Sequence, residues 1–186
     1  MALTNEIALE ALSAVGAVVA AVIAYFALQI ARRGIKLAED TLAEAERARK
    51  VTLSITLSER FSSDDMHKAL AFLGQRRKQY NNDIAAMCDA YVAEEAAKSE
   101  EVSEWGLRRR VVSKFFIVAY AQCKEGLLEP NVFAEQIQRG SIELYVQVVA
   151  PLDEAHATRV QKNSQYFDHR VREYFTSFLR DHFGHA

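Results

Sequence analysis

The hydrophobic pattern divides the chain into one uninterrupted apolar run and a series of amphipathic stretches. Residues 11–31 carry no charged side chain, and Arg32, Arg33 and Lys36 follow at once. At ~1.5 Å of rise per residue, a helix of about 21 residues covers ~31 Å, about one hydrocarbon core. Lipid admits only helices and closed barrels, and this run has no strand alternation. It is rich in Ala, so insertion rests on Val15, Val18, Val19, Val22, Ile23, Phe26, Leu28 and Ile30. Tyr25 and Gln29 fall near the basic end, where a polar tip reaches the interface. The pattern predicts a transmembrane helix over 11–31, after a short extracytoplasmic N-terminus over 1–10.

Three other readings compete. A secretory signal peptide wants a basic leader and a shorter apolar core. Here the leader carries Glu6 and Glu10 and no Lys or Arg. A buried core helix of this length without charge is unusual in a soluble protein. A helix lying in the membrane plane needs a strongly polar face, which the run lacks. Basic residues near the ends set orientation. Arg32, Arg33 and Lys36, then Arg47, Arg49 and Lys50, all follow the run. The N-terminus is therefore expected outside an inner (plasma) membrane, with residues 32–186 in the cytoplasm. Arg32, Arg33 and Lys36 would contact lipid head groups.

Small residues line the same run. Gly16, Ala20 and Ala24 recur in steps of four, beside Ser13, Ala17 and Ala21. Such lines let helices approach closely in lipid, although an Ala-rich helix also shows them by chance.

After the run, residues 32–61 read as a stalk helix. Ile35, Ala38, Leu42 and Ala45 form a thin apolar stripe between alternating acids and bases, which suits pairing with another copy or a solvated stalk. Leu53, Ile55 and Leu57 alternate as a strand would, but their neighbours are helical. Residues 62–186 then read as an antiparallel helical bundle. Ser62-Ser63-Asp64-Asp65 marks a helix start. The line Met66, Leu70, Leu73, Arg77, Tyr80, Ile84, Met87, Tyr91 follows in steps of three and four, with Arg77 the misfit. Its phase survives Asn81-Asn82-Asp83, which favours one long helix over two, although those residues also suit a cap.

Residues 94–104 are acidic with little bulk, a solvated helix end or loop. Trp105, Val112, Phe115, Phe116, Ala119 and Cys123 then line an apolar helix that Gly126 ends. Pro130 opens a short helix through Ile137, ended by Gly140. Ser141 caps a helix with the line Ile142, Tyr145, Val149, Leu152 and His156, which Pro151 interrupts. The last helix carries Phe167, Val171, Tyr174, Phe175, Phe178 and Leu179. The aromatics of these last helices should form the heart of the core.

Composition narrows the class. Seven Gly and two Pro in 186 residues leave little punctuation, and the abundance of Ala, Glu, Arg and Leu argues for an all-α fold. About 150 residues beyond the apolar run suit one domain with its own core. The net charge of −2 offers no global basic surface, so no nucleic-acid partner is expected. Cys88 and Cys123 are isolated and fall on apolar positions, as buried free thiols do.

The layout and the C-terminal half resemble an uncharacterised family of bacterial proteins with one N-terminal span and a cytoplasmic helical domain. The resemblance lies in Phe115-Phe116, Gly126-Leu127-Leu128-Glu129, Tyr145, Pro151, Arg159 and the Tyr166-Phe167 pair, over roughly residues 60–180. Positions 145 and 167 depart from the Trp and Glu of the family pattern. The resemblance implies a topology and no activity, substrate or catalytic residue.

The pattern contains no HExxH, Walker loop, GxSxG or EF-hand loop. His182 and His185 fall near the chain end, a poor place to hold a metal. His156 lies on an apolar line, as a satisfied core histidine does. Asp153 precedes it by three, but a di-metal bundle needs a second such pair. Arg76-Arg77-Lys78 and Arg108-Arg109-Arg110 read as solvated faces balanced by Glu100, Glu101 and Glu104, with anionic lipid or phosphate as the other reading. The sequence thus predicts no catalytic residue, no metal ligand and no cofactor. It points to a membrane-anchored helical interaction or scaffold protein that self-associates, or to an accessory subunit of a larger membrane enzyme or transport complex. A di-metal or hydrolytic enzyme is the third reading.

Overall fold

The computed structural model describes residues 2–97, 103–160 and 168–184, with the side chains of residues 2–15, 17 and 160 outside the description. The fold is all-α, and every regular element among the described residues is helical. The chain forms two compact units, Met1–Ala48 and Arg49–Ala186.

The first unit is helix, part of α1 (Ala2–Phe61). Within α1, Val18–Phe61 is long and apolar enough to cross a membrane by length and composition, and none of its most apolar window is buried inside the protein. Val18, Ile23, Phe26 and Ile30 are each 60% exposed or more.

The second unit begins with the last turns of α1. Leu57 and Phe61 lie one helical step of four apart and are both buried, whereas Ile55 is exposed. Helical periodicity therefore replaces the alternation of Leu53, Ile55 and Leu57. These turns, which the sequence assigns to the stalk, belong to the bundle core. Ser63 then caps α2 (Asp64–Gln79), its hydroxyl accepting from the Met66 N–H at 3.3 Å.

The expected single helix over 66–91 is two. Asn81 and Asn82 take φ of 52° and 63°, the left-handed region that Asn tolerates better than most residues. The Asp83 carboxylate accepts from the Ala86 N–H at 3.0 Å and starts α3 (Ile84–Ala97). The apolar phase persists because both helices face the same core, through Met66, Ala69 and Leu73, then Met87 and Tyr91. Asn82→Val is expected to destabilise the bundle by about 1–2 kcal/mol, and Asn82→Gly by almost nothing. Thermal denaturation of the two variants checks this; equal losses would show that the turn is not strained.

Ser103 caps α4 (Glu104–Lys124), and Gly126 follows at φ 69°, closing the helix as its pattern predicts. Residues 98–102 of the acidic stretch lie outside the described residues. Pro130 opens α5 (Pro130–Gln136) as expected. The next helix, α6 (Arg139–Leu144), contains Gly140 and Ser141, which the sequence had placed at a helix end and a cap. The chain turns earlier, at extended Ile137 and Gln138, because Ile137 and Ile142 are both drawn into the core.

Pro151 has no N–H for the carbonyl four residues back. The helix absorbs this with a π turn over Tyr145–Val149, where the Ala150 N–H bonds the Tyr145 carbonyl. Helix α7 (Ala150–Ala155) follows, then a second π turn over His156–Val160. Asp168 caps α8 (His169–Phe183), its carboxylate accepting from the Arg170 N–H at 3.0 Å. Phe167, Tyr166 and His185 lie outside the described residues.

Helix α4 is central, packing against α2, the first π turn, α7 and α8. The aromatic heart lies where the sequence predicts. Phe116 stacks on Tyr145 at 4.4 Å and meets Phe175 edge-on at 5.0 Å. Phe133 extends the cluster to Phe178 at 5.4 Å.

Candidate functional site

The membrane-facing candidates lie on α1. Arg32, Arg33 and Lys36 are exposed and form no ion pair among the described residues. Gly16, Ala20, Ala21 and Ala24 are exposed as well, and a Cβ built on Gly16 would meet nothing within 4 Å. The side chains of Ser13 and Ala17 lie outside the described residues. The stripe of Ile35 and Leu42 is 60% and 64% exposed.

Among the described residues, polar groups converge in the second unit, around a position that the sequence assigns to the surface. Arg109, placed by its pattern on a solvated basic face, is 6% exposed. Its guanidinium Nη1 donates to Asp153 Oδ1, with both side chains nearly buried. The guanidinium carbon also lies 5.7 Å from the centre of the Tyr91 ring. Burial raises the Asp153 carboxyl above its ordinary value; the charge of Arg109 and hydrogen bonds from Ser113 and Arg109 oppose that rise.

His156 stands one helical turn beyond Asp153. The buried Tyr91 hydroxyl lies 2.8 Å from His156 Nδ1. Burial pushes the Tyr91 phenol up to about 12, against the pull of Arg109, so it remains protonated and donates. Nδ1 is then the acceptor and Nε2 carries the imidazole proton. Burial lowers the His156 pKa, and the positive charge of Arg109 lowers it further. An unfolded histidine takes its proton near pH 6.5, whereas the folded His156 resists until lower pH. Its contribution is complete above pH ~6.5 and is lost as pH falls through the folded value. The wild-type bundle should therefore lose more stability between pH 7 and pH 5.5 than His156→Gln does. Denaturant unfolding at the two pH values measures the difference; parallel losses would refute it.

Arg109, Asp153 and His156 line one cavity of about 490 Å³. Ser113, Ile117, Tyr120 and Ala121 of α4 form one wall, and Tyr145, Ala157 and Val171 face them. Arg110 and Asp168 complete the lining. Ser113, Asp153 and His156 share this space but form no nucleophile relay. His156 Nδ1 bonds Tyr91, and Asp153 bonds Arg109. The Asp153-x-x-His156 pair meets no third ligating side chain among the described residues. The arrangement fixes its own polar groups and leaves a small, partly polar space beside them.

The other candidates separate. His182 lies within α8, stacked on Phe178 at 4.1 Å. His67 is exposed, with Phe61 beside it. Arg76 caps the buried Trp105 ring at 4.8 Å, and Arg108 pairs with Glu104 at 3.4 Å. Burial raises the thiols of Cys88 and Cys123, both free, so neither is an activated nucleophile.

The signal for Arg109 was present. The apolar line of α4 leaps from Trp105 to Val112, a gap of two helical steps, and Arg109 fills the step between them. A cation on that phase must be buried with a partner. No family model, curated protein or solved structure matches this chain.

Proposed function

We propose that the protein is a membrane-anchored helical interaction protein. It has a single span, its N-terminus outside and its helical domain on the cytoplasmic side of the inner membrane. The observation that carries this reading is the charge-free apolar run with its basic collar. Its large side chains from Val18 to Ile30 are about half exposed or more, and none of its most apolar window is buried. Each such side chain would gain about 1.5–3 kcal/mol on leaving water, and lipid is the environment that accepts a whole helical circumference of them. A core helix of a soluble domain would instead bury one face.

Arg32, Arg33 and Lys36 fit the anionic head groups of a cytoplasmic leaflet and set the orientation. The exposed line of Gly16, Ala20 and Ala24 supports close approach of a second helix, most simply another copy. In the alternative, an accessory subunit of a larger membrane complex, the face of Ser13, Ala17 and Ala21 would pack against foreign helices. The work of the interaction protein would be to hold a partner or a complex at the membrane, with no nucleic acid involved.

Alkaline carbonate extraction of native membranes tests the anchor: the chain should stay in the pellet, and its appearance in the supernatant would end this reading. Native mass measurement in mild detergent then separates the partners. A homo-oligomer supports self-association, and co-purifying membrane subunits support the accessory role.

A further inference from the structure

The cavity beside the Arg109–Asp153 pair is independent of the anchor, and its charge balance identifies what it would hold. Asp153 is neutralised by Arg109. Both Asp168 oxygens are occupied by Arg170, at 2.8 and 2.9 Å. With Arg170 counted against Asp168, Arg110 is the one lining cation that has no ion pair among the described residues. Two N–H donors belong to side chains of the lining. Arg109 Nε is buried with no partner, and His156 Nε2 carries a proton once Nδ1 accepts from Tyr91. A buried guanidinium N–H without a partner is unfavourable, and an acceptor placed on it would relieve that. The remaining walls are apolar, supplied by Ile117, Ala121, Ala157 and Val171. The volume of about 490 Å³ falls within the range of small-molecule sites.

We propose that this cavity binds a small organic carboxylate, its anionic head among Arg110, Arg109 Nε and His156 Nε2 and its apolar body against the α4 and α8 walls. One excess cation suits a monoanion. A phosphate dianion would need a second cation, and a neutral ligand would leave Arg110 unused.

Fluorine NMR of para-fluorophenylacetate with the full chain in nanodiscs tests the proposal, with empty nanodiscs as the blank. Saturable broadening is expected, with para-fluorophenylacetamide and para-fluorophenyl phosphate each binding about tenfold more weakly or worse. Arg110→Gln, at a half-exposed position that leaves the core intact, should weaken carboxylate binding about tenfold, and Lys114→Gln on the exposed face of α4 should not. Circular dichroism confirms that both variants fold. Absence of saturable binding up to about 10 mM overturns the proposal. So does equal binding of the amide, preference for the phosphate, or indifference to Arg110→Gln. None of these outcomes bears on membrane extraction, so the cavity and the anchor stand or fall separately.

Discussion

The double variant Val22→Arg with Phe26→Arg is expected to leave the membrane fraction. The two positions lie four residues apart, on one face near the middle of the apolar run, and both are about half exposed or more. Each arginine near the centre of a spanning helix costs about 2.5–3.5 kcal/mol of insertion free energy, so the pair costs about 5–7 kcal/mol. An Ala-rich span starts from a modest insertion energy, because its gain rests on a few Val, Ile, Leu and Phe side chains. That change corresponds to more than a thousandfold in partition. Ala45→Arg, beyond the basic collar, should leave extraction unchanged. Carbonate extraction of the three chains is the measurement. If the double variant pellets like the wild type, this run is not what holds the protein.

Asp153→Ala is expected to destabilise the helical bundle by about 3–5 kcal/mol, because it leaves the Arg109 guanidinium buried without its carboxylate. Stability of a domain this size is about 5–15 kcal/mol in all, so the variant would sit close to unfolding at physiological temperature. The double replacement Arg109→Met with Asp153→Leu removes both charges and keeps the volume filled. It should be neutral or more stable than the wild type by up to about 4 kcal/mol. The chain has one tryptophan, and Trp105 is buried 5.6 Å from Tyr91, so its fluorescence reports unfolding of this region. A single variant within about 1 kcal/mol of the wild type would show that the pair is solvated in practice. If the double variant is as unstable as the single, the geometry rather than the charge matters.

These two experiments separate the parts of the molecule that were legible from those that were not. The apolar run needs no partner residue to be recognised, since its length and lack of charge are properties of consecutive positions. The same holds for the Pro130 start, the Gly126 stop and the aromatic lines of α4 and α8, which are set by local chemistry and by period. The Asn81–Asn82 turn was half legible. Its residues advertise a break, but the unbroken apolar phase across it argues for continuity, and two helices sharing one core satisfy both. Gly140 and Ser141 misled because a glycine and a hydroxyl are only permissive at helix ends. The burial of Ile137 and Ile142 decided where the chain turned.

By itself, then, the sequence determined the all-α class, the apolar helix with its basic collar and the aromatic core, because each follows from periodicity and side-chain chemistry along the chain. Only the tertiary structure decided the cavity. Arg109, Asp153, His156 and Tyr91 come from three separate stretches, and whether a charge is solvated or buried depends on what packs over it. The gap that Arg109 fills in the apolar line marks a buried cation, but its partner lies 44 residues away in sequence, and only folding brings the two together.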